Sequence, residues 1–258
     1  MKTIDEVLRE LEQIVIYSIE NNDRAGYFAA LYYRVTAKVR MGIAAGEFED
    51  GARMERLDVI FAQRYLDAYY GWRKGEPVSR SWEVAFDSAS RRSHLALQHL
   101  LLGINAHINL DLGIAATMAA EPSNLRSVYN DFKSINNVIA SLTYGVINDL
   151  RLISPFLSVM GIVSNSRSML IEFSISSARD GAWCFAEELI EKKEKQYEDF
   201  VLERDTQIAQ LAQDLIRTKG LLRFTVWVIR LFERRQIGQN IELLHTHRKK
   251  QWHEVRET

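Results

Sequence analysis

Several polar residues of one long apolar stretch have the types and the spacing that acid–base or metal chemistry requires. His107 and Asp111 are four residues apart, which places an imidazole and a carboxylate on one face of a helix. In that arrangement Asp111 can orient His107 as a general base. His99 falls on the same polar stripe, and a divalent cation binds donor groups of these kinds. The spacing therefore indicates catalytic or metal-binding chemistry at His99, His107 and Asp111.

A second polar stripe follows another face of the same predicted helix. Its residues form two pairs with the i, i+4 spacing, His94 with Gln98 and Asn105 with Asn109. Gly103 lies between His99 and His107 on the first stripe, although glycine costs about 1 kcal/mol relative to alanine inside a helix. This glycine indicates either the close approach of another backbone or room for a bound molecule. The candidate ligand-binding residues are therefore His94, Gly103, Asn105 and Asn109.

Both stripes belong to the stretch 93–121, SHLALQHLLLGINAHINLDLGIAATMAAE, whose apolar residues fall on every side of a helix. A helix of that kind is normally buried on all sides. Leaving one of its polar groups unpaired would cost about 1–3 kcal/mol, so other elements must supply hydrogen bonds. Because strand-like alternation is scarce, we expect an all-α fold, a multi-helix bundle wrapped around this buried central helix.

A helix predicted at about 51–74 provides partners for the two stripes. Asp58 and Tyr65 are seven residues apart on one face, and we add both to the candidate catalytic residues. The alternative is that Tyr65 is an ordinary amphipathic core residue. Arg64 and Asp67 lie on another face, where we expect a surface ion pair that contributes little to stability.

The C-terminal part of the chain has a different composition. One helix is expected to run from about 166 into the charged segment EELIEKKEKQYEDFVLERDTQ. We predict a single helical domain at 1–200, followed by a helical C-terminal extension at 201–258 that packs on it or on a partner. Within the extension, 221–236 has a wide apolar face and a narrow stripe formed by Arg223, Arg230 and Arg234. This helix could pack on the core, pair two subunits in a homo-oligomer, or make peripheral contact with a membrane surface.

The run HLLLGINAHINLDLG, with ARMERLDVIFAQRYLDA upstream and DFKSINNVI downstream, resembles a bacterial family of uncharacterised proteins, a domain of unknown function. The resemblance covers about residues 26–190. It implies a helical domain and supplies no activity and no catalytic residues. The roles given to individual residues therefore depend on their types and spacing alone.

Composition narrows the classes of function. With 33 basic and 34 acidic residues, the net charge of −1 provides no general attraction for nucleic acid. The one cysteine, Cys184, excludes an intramolecular disulfide and fits a reducing compartment, so we expect a cytoplasmic protein. The sequence shows no secretory signal and no transmembrane segment.

Two classes of function remain open. The first is an enzyme with a buried His/Asp/Asn polar pocket, either metal-free or assisted by a divalent metal at His99, His107 and Asp111. Helical di-metal sites usually carry Glu-x-x-His pairs, and this sequence has none. The second is a non-catalytic helical module that binds an apolar small molecule, a lipid surface or a protein partner. In that case the polar residues only fix the helix register.

Overall fold

The computed structural model describes residues 2–91, 94–121, 124–156, 165–217, 220–233 and 236–254. Within these ranges every regular element is a helix, which confirms the predicted all-α fold. In chain order the helices are α1 (Ile4–Asn21), α2 (Gly26–Ala44), α3 (Gly51–Lys74), α4 (Arg80–Ser90), α5 (Ala96–Ala106), a π-helical segment (His107–Asp111), α6 (Leu112–Ala119), a 3₁₀ turn (Leu125–Val128), α7 (Tyr129–Ile153), α8 (Asn165–Leu189), α9 (Glu194–Ile216), α10 (Gly220–Phe232) and α11 (Ile237–Glu254).

The central helix consists of α5, the π-helical segment and α6, and it runs without a break from Ala96 to Ala119. Most of it is buried inside the bundle. Among the described residues it is the one helix long and apolar enough to cross a membrane, a test that a buried core helix also passes. Helices α2, α3, α4, α7, α8 and α9 pack around it. The prediction of a buried central helix agrees with this arrangement.

Local signals fixed the ends of α3. The Asp50 side chain accepts a hydrogen bond from the backbone N–H of Arg53, which satisfies a donor that the helix itself leaves unpaired. Gly75 has φ +75° at the other end, a left-handed conformation that glycine adopts without strain. The predicted bounds of this helix, 51–74, are those observed.

The helix predicted from about 166 into the charged segment ends soon after it enters that segment. Helix α8 ends at Leu189, a turn follows, and α9 starts at Glu194. The turn lets α9 pack against the central helix and α4, where it buries Ile208 and Ala212. A continuous helix would carry those apolar residues away from the core, so their burial favours the reversal.

The last two helices also contact the bundle. Helix α11 packs on α1 and α2, and Ile229 of α10 is buried against Leu95 and Ile147. Arg230 is half-buried, whereas the side chain of Arg223 and all of Arg234 lie outside the described residues. The outer side of α10 exposes large apolar side chains, which are Phe224, Trp227, Leu231 and Phe232.

Candidate functional site

The central helix widens to a π-helix where the sequence places its main candidate pair. The π-helical segment begins at His107 and ends at Asp111, and Nδ1 of His107 lies 3.2 Å from Oδ2 of Asp111. Both side chains are buried, and His107 is 2% exposed. Single π-helical turns inside α-helices are rare and often mark functional sites. The local spacing predicted the contact between the two residues, but it gave no indication of the wider turn.

Asp111 lies at the centre of a hydrogen-bond network that joins three helices. Its Oδ1 accepts a hydrogen bond from Nε of Arg64 at 2.8 Å, and its Oδ2 accepts one from Nε1 of Trp82 at 2.8 Å. Burial acts to raise the pKa of Asp111, but the hydrogen bond from His107 and the positive charge of Arg64 outweigh it. The pKa therefore lies below its ordinary value, and Asp111 is ionised at neutral pH.

The predicted surface pair of Arg64 with Asp67 is wrong. Asp67 instead accepts a hydrogen bond from Gln63 at 2.6 Å, and Arg64 reaches into the core to Asp111. A buried carboxylate needs a positive partner because an uncompensated buried charge is strongly destabilising. The sequence did indicate this position for Arg64. Arg64 and Tyr65 follow Phe61 by three and four residues, and both therefore lie near the side of α3 that carries Phe61.

His107 sits in a chamber of aromatic side chains. Its ring stacks on Phe61 with 3.6 Å between centroids and 7° between planes, and Tyr32 meets it edge-on at 4.4 Å. The five rings of this aromatic chamber belong to Phe28, Tyr32, Phe61, Tyr65 and Trp82. Burial lowers the pKa of His107 more than Asp111 raises it, so the imidazole is neutral. Since Nδ1 faces ionised Asp111, Nδ1 carries the proton, and Nε2 is a buried acceptor without a hydrogen-bond partner.

The two residues predicted on α3 are both buried. Tyr65 belongs to the aromatic chamber, with its ring centroid 6.2 Å from that of His107 and its hydroxyl unpartnered. Asp58 has no hydrogen-bond partner at Oδ2, and burial raises its pKa to about 8. Burial, followed by the negative charges of Asp58 and Asp111, raises the pKa of Tyr32. Asp58 is therefore a protonated acid at neutral pH.

The space over Gly103 is filled by Phe28. A Cβ on Gly103 would lie 2.8 Å from the Cβ of Phe28 and closer still to its ring. The glycine thus lets a side chain of α2, rather than a ligand or a backbone, approach the central helix. That approach places Phe28 against His107, with 5.6 Å between ring centroids.

His99 lies apart from the His107–Asp111 pair. It stacks on Tyr27 with 5.9 Å between centroids and meets His94 at 6.0 Å, toward the start of the central helix. The described residues contain no group of three or more His, Cys, Asp or Glu side chains that could hold a metal ion. The candidate ligands His99, His107 and Asp111 thus do not assemble, because eight residues of helix separate the two histidines by about 12 Å.

The second polar stripe attaches α9 to the central helix. Asn105 donates from Nδ2 to the carbonyl oxygen of Ile208 and accepts from Nδ2 of Asn109, each at 3.0 Å. Nε of Arg204 donates to the carbonyl oxygen of Asn109 at 3.1 Å. Both asparagines therefore have structural partners. His94 lies outside this attachment, with Nδ1 2.7 Å from Oγ of Ser88.

The chain was also compared with known proteins. The model of a family described as a family of unknown function (DUF5995) matches residues 4–218, which confirms the resemblance and extends it beyond 26–190. No curated protein and no solved structure matches significantly.

Proposed function

This chain belongs to the family of unknown function DUF5995, and we propose that it is an enzyme in which His107 acts as a general base oriented by Asp111. One observation carries the proposal. The Nε2 atom of a neutral, buried histidine has no partner, although its Nδ1 is paired with a carboxylate. Because an unpaired buried acceptor is destabilising, such an atom requires an explanation, and a substrate proton provides one.

The surrounding charges support a base at this position. Ionised Asp111 accepts the Nδ1 proton, which fixes the tautomer and leaves the Nε2 lone pair available. The hydrogen bonds from Arg64 and Trp82 hold that carboxylate in place. When Nε2 takes up a proton, the adjacent negative charge stabilises the imidazolium that forms.

Asp58 supplies the complementary acid. With a pKa of about 8 it carries a proton at neutral pH, so one carboxyl of the region is ionised and the other is not. When the surroundings of two titratable groups hold their pKa values apart in this way, one group commonly acts as the acid and the other takes part on the base side. In the proposed reaction Nε2 of His107 removes a proton from a C–H bond, and Asp58 donates one to another atom of the substrate. The substrate gains and loses one proton, which makes the reaction an isomerisation.

The lining of the aromatic chamber indicates the class of substrate. Five aromatic rings surround His107, and this apolar setting disfavours an ionic substrate. We therefore propose a small, uncharged carbonyl compound with an acidic C–H bond. Arg64, whose side chain is 32% exposed, is the member of the network that reaches solvent, and we place the entrance beside it.

The experiment is isotope exchange in heavy water. Small uncharged carbonyl compounds are incubated with the protein, and deuterium incorporation at carbon is followed by NMR. We expect catalysed exchange for the wild type and a loss of at least about 100-fold for His107→Gln, the usual size of a general-base contribution. The rate should fall above about pH 8 as Asp58 ionises, and Asp58→Asn, which cannot donate the proton, should be slow at every pH and lack that limb. Asp67→Asn, on the same helix at an exposed position, is the control.

Two results would contradict the proposal. One is full exchange in His107→Gln, which would assign the reaction to another residue. The other is the absence of exchange for every compound in a wild-type protein whose His107 is shown by ¹⁵N NMR to be neutral. That result would leave the network a purely structural role in fixing the helix register.

A further inference from the structure

A large cavity lies at the start of the central helix, away from the aromatic chamber. Its volume is about 840 Å³, and its wall includes the ends of α1, α10 and α5. The side chains that line it belong to Asn21, Asn22, Arg24, Tyr27, His94, Ala96, Trp227, Arg230, Leu231, Glu233, Gln236 and Ile237. The volume is in the usual range for small-molecule sites, about 300–1,000 Å³.

We infer that this cavity binds a small organic anion, a carboxylate or phosphate group carried on a flat apolar body. The proposal concerns a second site and is independent of the isomerase activity. His99, which packs behind Tyr27 and His94 of the cavity wall, is eight residues and about 12 Å along the helix from His107.

The charges in the wall favour an anion. Arg24 and Arg230 both line the cavity, and among the described residues of the lining Glu233 is the one acidic side chain. Glu233 is already engaged by its own chain, since Oε1 accepts hydrogen bonds from the backbone N–H of Ala96 at 3.0 Å and from Oγ of Ser154 at 2.7 Å. Burial raises the pKa of Glu233, and the positive charges of Arg230 and Arg24 act in the opposite direction. Two guanidinium groups against one carboxyl group leave the described part of the wall with a net positive charge, and a guanidinium binds carboxylate and phosphate groups well.

A buried histidine without hydrogen-bond partners, His99, lies behind the wall of the cavity. It is 5% exposed, and neither ring nitrogen has a hydrogen-bond partner. It contacts two members of the wall, Tyr27 and His94, so it forms the layer directly behind them. Burial and then the positive charges of His94, Arg24 and Arg230 lower its pKa to about 3. Neutral His99 thus has an unpartnered donor and acceptor in the layer behind the wall, and an unsatisfied buried polar group of this kind requires an explanation.

The rest of the wall suits a flat apolar group. Tyr27 and Trp227 contribute aromatic surface, and Leu231 and Ile237 contribute aliphatic surface. Trp227 is 55% exposed, so it stands at the mouth, where a bound ligand would cover it. Aromatic side chains lose little conformational freedom on binding and commonly anchor flat ligands.

The test uses two fluorescent probes that differ in charge. The anionic probe is 8-anilinonaphthalene-1-sulfonate, and the neutral one is N-phenyl-1-naphthylamine, which lacks the sulfonate. We expect one molecule of the anionic probe per chain and an affinity at least 10-fold higher than that of the neutral probe. Arg230→Gln and Arg24→Gln should each weaken the anionic probe at least 10-fold, with little effect on the neutral one. Arg230→Lys should keep most of the affinity, because it keeps the charge.

The controls separate loss of the site from loss of folding. Arg9→Gln changes an exposed arginine outside the cavity and should leave both probes unaffected. If Arg230→Gln does not fold, Arg24→Gln gives the same test at a residue in the connection between α1 and α2. Competition by benzoate or by phenyl phosphate then shows which anionic group the site prefers. Equal affinity for the two probes, or unchanged binding in both folded arginine variants, would overturn the proposal.

Discussion

Replacing Gly103 with alanine tests how tightly α2 packs on the central helix. The new Cβ would lie 2.8 Å from the Cβ of Phe28, and real Cβ atoms essentially never come that close. The near atoms of Phe28 adjoin its backbone, so the residue cannot yield by a change at the tip of a flexible side chain. Its ring is also held by contacts with Tyr32, Tyr65, Trp82 and His107. The variant should therefore overpack this region.

The net effect follows from two opposing contributions. Alanine gains about 1 kcal/mol of helix propensity over glycine, whereas overpacking a core costs about 1–3 kcal/mol. Because Phe28 has so little freedom, we take the upper value and expect a net loss of about 2 kcal/mol in the free energy of unfolding. For a chain of this size that loss lowers Tm by about 4–8 °C.

Gly181 is the matched control. It lies inside α8, and a Cβ there would meet nothing within 4 Å. Gly181→Ala should raise stability by about 1 kcal/mol through helix propensity alone. Urea unfolding curves of both variants and the wild type measure the two effects. A Gly103→Ala protein as stable as Gly181→Ala would refute the packing argument.

A double-mutant cycle tests whether Phe28 causes the loss of stability in Gly103→Ala. In a Phe28→Ala background the obstruction is gone, so Gly103→Ala should become neutral or stabilising. An unchanged cost in that background would show that some other neighbour is responsible.

Two further predictions concern buried carboxyls. The pKa of Asp58 is about 8 in the folded chain, above its ordinary value, so stability should fall as pH rises from about 4 to about 8, by up to about 1.4 kcal/mol per pH unit. Asp58→Asn lacks this loss, so the stability of the variant relative to the wild type should be greater at pH 7 than at pH 5. Urea-unfolding profiles of the two proteins that stay parallel over this pH range would contradict the assignment. Asp205 accepts hydrogen bonds from the backbone N–H groups of Arg80 and Ser81, so Asp205→Ala should cost about 1–3 kcal/mol, against little change for exposed Asp199→Ala in thermal melts.

The sequence by itself determined the features that depend on local spacing. Caps and glycines set the bounds of α3, because a helix end needs a partner for its free backbone groups within a few residues. The apolar pattern of 93–121 indicated the buried helix, and the i, i+4 spacing brought His107 to Asp111. These outcomes follow from the geometry of one helix, so no information about other elements was needed.

Only the tertiary structure decided which groups meet across helices. Arg64 and Trp82 reach Asp111 from positions 47 and 29 residues away, and Phe28 rather than a ligand occupies the space at Gly103. The cavity beside His94 likewise depends on α10, more than 100 residues along the chain. The packing of all the helices together sets the register of one helix against another. The periodicity of a single helix therefore does not predict that register.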